Sequence, residues 1–141
     1  MIRMTRHLYL DMGAAGEAAY PDECCGILMG TIDAEDARTV TELRPMLNAR
    51  EGGERRRRFR IDADDILRAE RLAAGKGLDI IGFYHSHPDH PALPSNYDRE
   101  YALPWYAYVI VAVAGGRAEA LSCWKLADNR SRFYREPVYC V

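Results

Sequence analysis

The run Leu78-Asp-Ile-Ile-Gly-Phe-Tyr84 leads straight into His85-Ser86-His87, and prolines follow at 88, 91 and 94. No other segment constrains the fold as strongly. The run is apolar and rich in β-branched and aromatic residues, which reads as a buried central strand from Leu78 to His87. The three prolines between His87 and Ser95 exclude a central strand or a helix interior, so the connection is a loop with few conformations. Ser95 then opens a helix expected over Ser95 to Leu103, ended by Pro104. The chain must therefore turn back on itself and hold a helix start over the end of a buried strand.

That turn gathers two imidazoles, a hydroxyl and a carboxylate. Residues two apart in a strand share a face, so His85 and His87 aim at one point. Pro88 keeps His87 extended. Ser95 and Asp98, three apart, lie on one side of the first helical turn. Two histidines and one carboxylate suffice for a catalytic zinc, with a fourth position left for water. Each residue also has a plainer reading. Ser-x-x-Asp is an ordinary capping pattern, Asp98 suits the positive end of a helix dipole, and a strand histidine usually packs or hydrogen-bonds. Their conjunction points to a metal. Within the loop, Asp89 and His90 read as solvent-facing residues, with a role as ligands or as partners of a zinc histidine left open. His7 has no partner in the local sequence.

The remaining chain reads as mixed α/β in one domain, residues 1–141. Strands are expected at residues 1–6, Cys24 to Met29, Arg38 to Leu43, Tyr106 to Val113, Arg117 to Lys125 and Phe133 to Val141, with Gly30 ending the second. Gly115-Gly116 marks a hairpin. Helices are expected from Leu8 to Ala19 and after Asp62, where Ile61 and Ile66 form a hydrophobic staple and Gly75 and Gly77 stop the helix. Gly26 permits close backbone approach. The chain is long enough to bury roughly two-thirds of its extended surface without staples.

Several function classes are excluded by composition. A formal net charge of -2 argues against a general nucleic-acid binder. No apolar run reaches the length of a membrane span and no signal-peptide pattern opens the chain, so a cytoplasmic protein is expected. Cys24, Cys25, Cys123 and Cys140 form no C-x-x-C pair and read as buried free thiols, with a catalytic thiol at Cys24 or Cys25 the minority alternative. A cytidine-deaminase-type site is disfavoured, because His85 lacks the following glutamate and no Pro-Cys-x-x-Cys occurs.

The string His85-Ser-His87-Pro88, with Ser95 and Asp98 at their spacing, resembles the zinc signature of the JAMM (MPN-plus) metalloprotease family. Pro21-Asp-Glu23-Cys-Cys-Gly26-Ile-Leu-Met-Gly30 resembles that family's bacterial upstream element. The likeness continues through Phe59-Arg-Ile-Asp62, Ile81 to His85, Tyr108-Val-Ile-Val111 and Trp124, nearly the whole chain. It implies a single-domain MPN fold of α+β type, with a mixed, largely antiparallel sheet flanked by helices and an architecture like that of the cytidine deaminases. It implies one zinc ion per chain on His85, His87 and Asp98. It also implies Glu23 as general base and then acid, and Ser95 as donor to the oxyanion. From the residues alone Glu23 would pass as a solvated strand-end charge.

The resemblance further implies a peptidase or isopeptidase that cuts at the C-terminal tail of a small ubiquitin-like sulfur-carrier protein of the β-grasp fold. An extended tail of that kind could add to a strand edge and enter the zinc cleft. Alternatives are a non-catalytic zinc-binding scaffold and a zinc hydrolase acting on a small amide. Nucleic acid and membrane are not expected partners, and a homodimer stays open. Arg55 to Arg58 reads as a solvated loop or edge, with docking of an acidic partner as the second reading.

Overall fold

A computed structural model describes residues 1–48 and 61–141. The arginine run from Arg55 to Arg58 lies outside the described residues, as do Phe59 and Arg60 of the family-like string. In chain order the elements are β1 (Ile2–Met4), α1 (Arg6–Ala19), β2 (Cys25–Ile32), β3 (Arg38–Met46), α2 (Ala63–Gly75), β4 (Asp79–Pro88), α3 (Asn96–Tyr101), β5 (Ala107–Ala114), β6 (Arg117–Leu126), β7 (Phe133–Glu136) and β8 (Val138–Cys140).

The strands form one sheet in the order β7-β6-β5-β4-β2-β3-β1-β8. The pairs β2–β3, β2–β4, β5–β6 and β6–β7 are antiparallel, while β1–β3, β1–β8 and β4–β5 are parallel. The expected mixed, mainly antiparallel sheet flanked by helices is therefore present. One residue, Pro137, separates the two edge strands β7 and β8. A single residue spans only about 3.5 Å, so the sheet must curl until its edges meet. Two contacts fasten that seam: Ile2 N–H donates to the Pro137 carbonyl at 2.9 Å, and the N-terminal amine meets Glu136 at 2.7 Å.

Two apolar clusters cover the two faces. Met12 of α1 packs with Leu28, Ile81, Tyr84, Val109, Val111 and Val113. Ala69 and Ala73 of α2 pack with Ile27, Met29, Ile80 and Phe83 on the other face. Alternation along β2 sends Leu28 one way and Ile27 and Met29 the other, as period two requires. In β4 the phase slips, because Leu28 pairs with Gly82 and Met29 with Ile80, leaving Ile81 as a bulge. Beyond the bulge, His85 and His87 share the parity of Phe83, so they lie on the α2 face and away from α1.

Several boundaries differ from the sequence expectation. Gly30 does not end β2, which continues to Ile32 through an irregularity in its pairing with β3. β3 runs on to Met46 because its tail from Glu42 onward has β2 as a partner. The single last strand is split at Pro137, where a missing N–H suits the change of sheet edge. Asp62 is the N-cap of α2, but no side-chain cap bond forms there. The third helix stops at Tyr101 and not Leu103: Ala102 is already extended, and Arg130 donates to the carbonyls of Arg99, Glu100 and Ala102 at 2.7–3.1 Å. Pro104 then keeps Leu103 out of helical geometry. Gly26 makes room for the Tyr84 ring, which a β-carbon there would run into, and not for another backbone; backbone comes close instead at Gly30 and Gly82.

Candidate metal centre

β4 delivers the two histidines from the middle of the sheet. It is hydrogen-bonded on both sides, to β2 and to β5, so its backbone has no freedom to drift. Cys25 pairs with His85 and Gly26 with Tyr84 in the antiparallel β2–β4 ladder. Extending that register places Glu23 opposite His87. Ser86, which points to the other face, secures the extension: its hydroxyl accepts from Cys24 N–H at 2.8 Å and its N–H donates to the Cys24 carbonyl at 3.2 Å. Asn48 donates to the Glu23 carbonyl at 3.2 Å. Glu23 is consequently buried, 4 % exposed, where a strand-end carboxylate would ordinarily be solvated.

The proline loop brings Asp98 over the strand end. Ser122 and Trp124 of β6 both donate to the Ala92 carbonyl, and the Trp124 indole also donates to the Ser122 hydroxyl. This anchors the loop at its centre. Ser95 then caps α3 in a reciprocal box: its hydroxyl accepts from Asp98 N–H at 3.0 Å, and its N–H donates to Asp98 Oδ2 at 2.8 Å. The box fixes the Asp98 rotamer. The plain reading of Ser-x-x-Asp is thus correct, and the same bonds aim the carboxylate at the histidines.

Donor atoms of three residues converge. His85 Nε2 and His87 Nε2 are 3.1 Å apart, and the Asp98 carboxylate gives each one oxygen, Oδ1 at 3.2 Å from the first and Oδ2 at 3.2 Å from the second. Ligands at 2.0–2.1 Å around a tetrahedral zinc would be separated by about 3.3 Å, so these separations are close to those of ligands on one ion. Glu23 joins them: one carboxylate oxygen lies within 4.8 Å of a ligating nitrogen of each histidine. His87 Nδ1 meets the Pro91 carbonyl at 2.9 Å. An acceptor there takes the Nδ1 hydrogen, so a neutral ring turns its Nε2 lone pair towards Asp98. Lone pairs of two imidazoles and a carboxylate at this range repel unless a cation, a proton or a metal ion, lies among them. The donor set and its spacing fit zinc.

The electrostatics follow from burial against these neighbours. Burial pushes the Glu23 carboxyl up to about 8, with His87 pulling down and Asp98 pushing up. Burial also lowers His85, and it outweighs the pull of Asp98. Asp98 would itself be raised by burial, but His85 and His87 hold it well below the usual carboxylate range. For His87 burial is the largest influence and acts downward, yet Asp98 and the Pro91 carbonyl together carry the ring above its usual value. The centre thus pairs a firmly ionised carboxylate with a proton-holding one.

Two cavities open on the centre. Glu23, His87 and Ser95 line one together with His90, Pro91 and Leu93, and its volume is about 330 Å³. The other, about 270 Å³, is walled by Phe83, Tyr97, Tyr101, Tyr108 and Phe133 and reaches His85 and Asp98. All five residues singled out from the sequence are therefore together. Asp89 and His90 are solvent-exposed as expected, but Asp89 is firmly bonded, and the backbone of Pro91 is the partner that orients His87. Ser86, Ser122 and Arg130 went unnoticed in the sequence. The one available signal was for Ser86, a polar residue between two same-face histidines and hence on the opposite, buried face.

Residues 5–127 match the family described as prokaryotic homologs of the JAB domain. The desampylase of Haloferax volcanii is 39% identical over 104 residues, which cover 73% of this chain and 70% of that protein. A probable TtuB-protein conjugate cleaving protease of Thermus thermophilus is 42% identical over 53 residues, 38% of this chain and 36% of that one. A Salinibacter ruber protein of known solution structure is 41% identical, with a TM-score of 0.77 over 99% of this chain and 91% of that one. A JAB1/MPN domain protein from Archaeoglobus fulgidus shares the fold at 19% identity, with a TM-score of 0.58 over 100% of this chain and 97% of its own.

Proposed function

The chain belongs to the family of prokaryotic JAB-domain homologs, and on that premise we propose that it is a zinc-dependent isopeptidase. Its substrates are amide-linked conjugates of a small ubiquitin-like sulfur-carrier protein, cut at the carrier's C-terminal tail. The observation that carries the reading is the meeting of His85, His87 and Asp98 donor atoms at 3.1–3.2 Å with Glu23 beside them. The names of the relatives from Haloferax and Thermus support the substrate class. Among the described residues no helix is long and apolar enough to cross a membrane.

His85, His87 and Asp98 hold the ion, one per chain. Zinc bound there supplies Lewis acidity, lowering the pKa of a water and polarising the scissile carbonyl. Glu23 takes the proton from the attacking water and later returns it to the leaving amine; a carboxyl pushed up to about 8 is suited to both directions. Ser95 already accepts from Asp98 N–H, so its own hydroxyl hydrogen is free to turn into the cleft and donate to the developing oxyanion. His87 keeps its Nδ1 hydrogen on the Pro91 carbonyl throughout, which holds its ring orientation during turnover. The cavity lined by Glu23, His87 and Ser95, about 330 Å³, has room for a few residues of an extended tail and none for a folded domain.

The test is cleavage of a lysine-linked carrier conjugate by wild type and Glu23→Gln. The expected result is release of free carrier by wild type and loss of that release in the variant, with carrier binding retained. Equal cleavage by both would remove Glu23 from the chemistry. Absence of cleavage by zinc-loaded wild type on several carriers would leave a binding scaffold.

A further inference from the structure

We propose that Asp89 is a positioning residue: one carboxylate clasps the backbone arm carrying Glu23 to the arm carrying His87. The inference rests on the metal-site reading above. Asp89 follows His87 by two residues, and Tyr20 precedes Glu23 by three. The Tyr20 hydroxyl donates to Asp89 Oδ2 at 2.6 Å, and Gly115 N–H donates to Asp89 Oδ1 at 2.8 Å. The Asp89 N–H in turn donates to the Val113 carbonyl at 2.7 Å. A single exposed residue thus joins the end of α1, the turn between β5 and β6, and the start of the proline loop.

The backbone shows how firmly this joint is made. Asp89 sits at φ 57°, in the left-handed region, which aspartate tolerates better than most residues because its short polar side chain can hydrogen-bond locally. Both carboxylate oxygens are engaged away from the metal centre, so Asp89 is not a spare ligand. Glu23 has an anchor on each side of it along the chain, besides the Asn48 bond to its own carbonyl. On the C-terminal side Ser86 holds Cys24; on the N-terminal side the Tyr20–Asp89 bond holds the end of α1. Cutting the second removes the N-terminal tether, and small displacements of a catalytic group cost rate steeply. Releasing Asp89 itself also loosens the chain two residues from His87, one of the three converging donors.

The experiment compares Asp89→Gly, Asp89→Asn and Tyr20→Phe with wild type. Zinc affinity is read by competition with a chromophoric chelator, alongside melting temperature and kcat and KM on the conjugate. Glycine keeps the left-handed backbone but loses both acceptors, and zinc affinity should fall about tenfold or more. Asparagine retains an acceptor for Gly115 and a partner for Tyr20, so it should stay within about threefold of wild type. Tyr20→Phe leaves Asp89 on Gly115; zinc affinity should hold while kcat falls about tenfold at unchanged KM. Wild-type zinc affinity in folded Asp89→Gly, with only the melting temperature lowered, would make the residue a simple turn former and overturn the proposal. Should that variant fail to fold, unchanged kcat in Tyr20→Phe overturns it equally. A wild-type chain that takes up no zinc would instead overturn the metal-site reading itself.

Discussion

Replacing Ser95 by alanine separates the capping role that the structure shows from the oxyanion role proposed for the same hydroxyl. As the α3 cap, the hydroxyl accepts from Asp98 N–H at 3.0 Å; losing such a cap costs about 1 kcal/mol. In a domain of this length that lowers the melting temperature by about 3–4 °C. As an oxyanion donor, its loss should cost about 10²–10³ in kcat, or about 3–4 kcal/mol of transition-state stabilisation. Zinc should stay, because Asp98 Oδ2 keeps the Ser95 backbone N–H at 2.8 Å, a bond that alanine also makes. The assay measures zinc content, thermal unfolding and conjugate kinetics on one preparation. The expected pattern is near-normal zinc, a small loss of stability and a large loss of kcat with little change in KM. A kcat within about threefold of wild type, beside the expected fall in stability, would reduce Ser95 to a cap and refute its catalytic role.

Other expectations concern the scaffold and the ion. Gly26→Ala should destabilise by about 1–3 kcal/mol, since the added carbon meets the Tyr84 ring; chemical denaturation measures it, and a neutral result would mean that Tyr84 can move aside. Arg130→Ala strips three carbonyls at the end of α3 of their donor; zinc loss to a chelator should speed up by about threefold or more. Chelation of the wild-type ion should lower stability by up to about 4 kcal/mol if zinc was present at a thousandfold its dissociation constant, and added zinc should restore it. An apo form as stable as the zinc form would place the ion outside the folded-state energetics.

The candidate site was legible in the sequence because four of its five residues are close along the chain. His85, His87, Ser95 and Asp98 sit on elements whose local rules, strand alternation and helix capping, fix their directions before any tertiary contact forms. Glu23 is the opposite case. Its place is set by the β2–β4 register and by Ser86, contacts between residues about 62 positions apart, and only the family-like string around it gave it away. The split at Pro137 escaped for the same reason: nothing local says that consecutive residues pair with opposite edges of a sheet. The early end of α3 depended on Arg130, some thirty residues further on. Strand ends were misjudged where a pairing partner, as β2 for the tail of β3, carried the strand past Leu43 through Arg44 and Pro45 to Met46.

The central claim is that His85, His87 and Asp98 hold a zinc ion. Elemental analysis of untagged protein, beside a His87→Ala variant prepared in the same way, tests it most directly. The account predicts about one zinc per chain in wild type and little in the variant. Wild-type protein that remains free of zinc after metal is offered, or a variant that retains as much zinc as wild type, would contradict it.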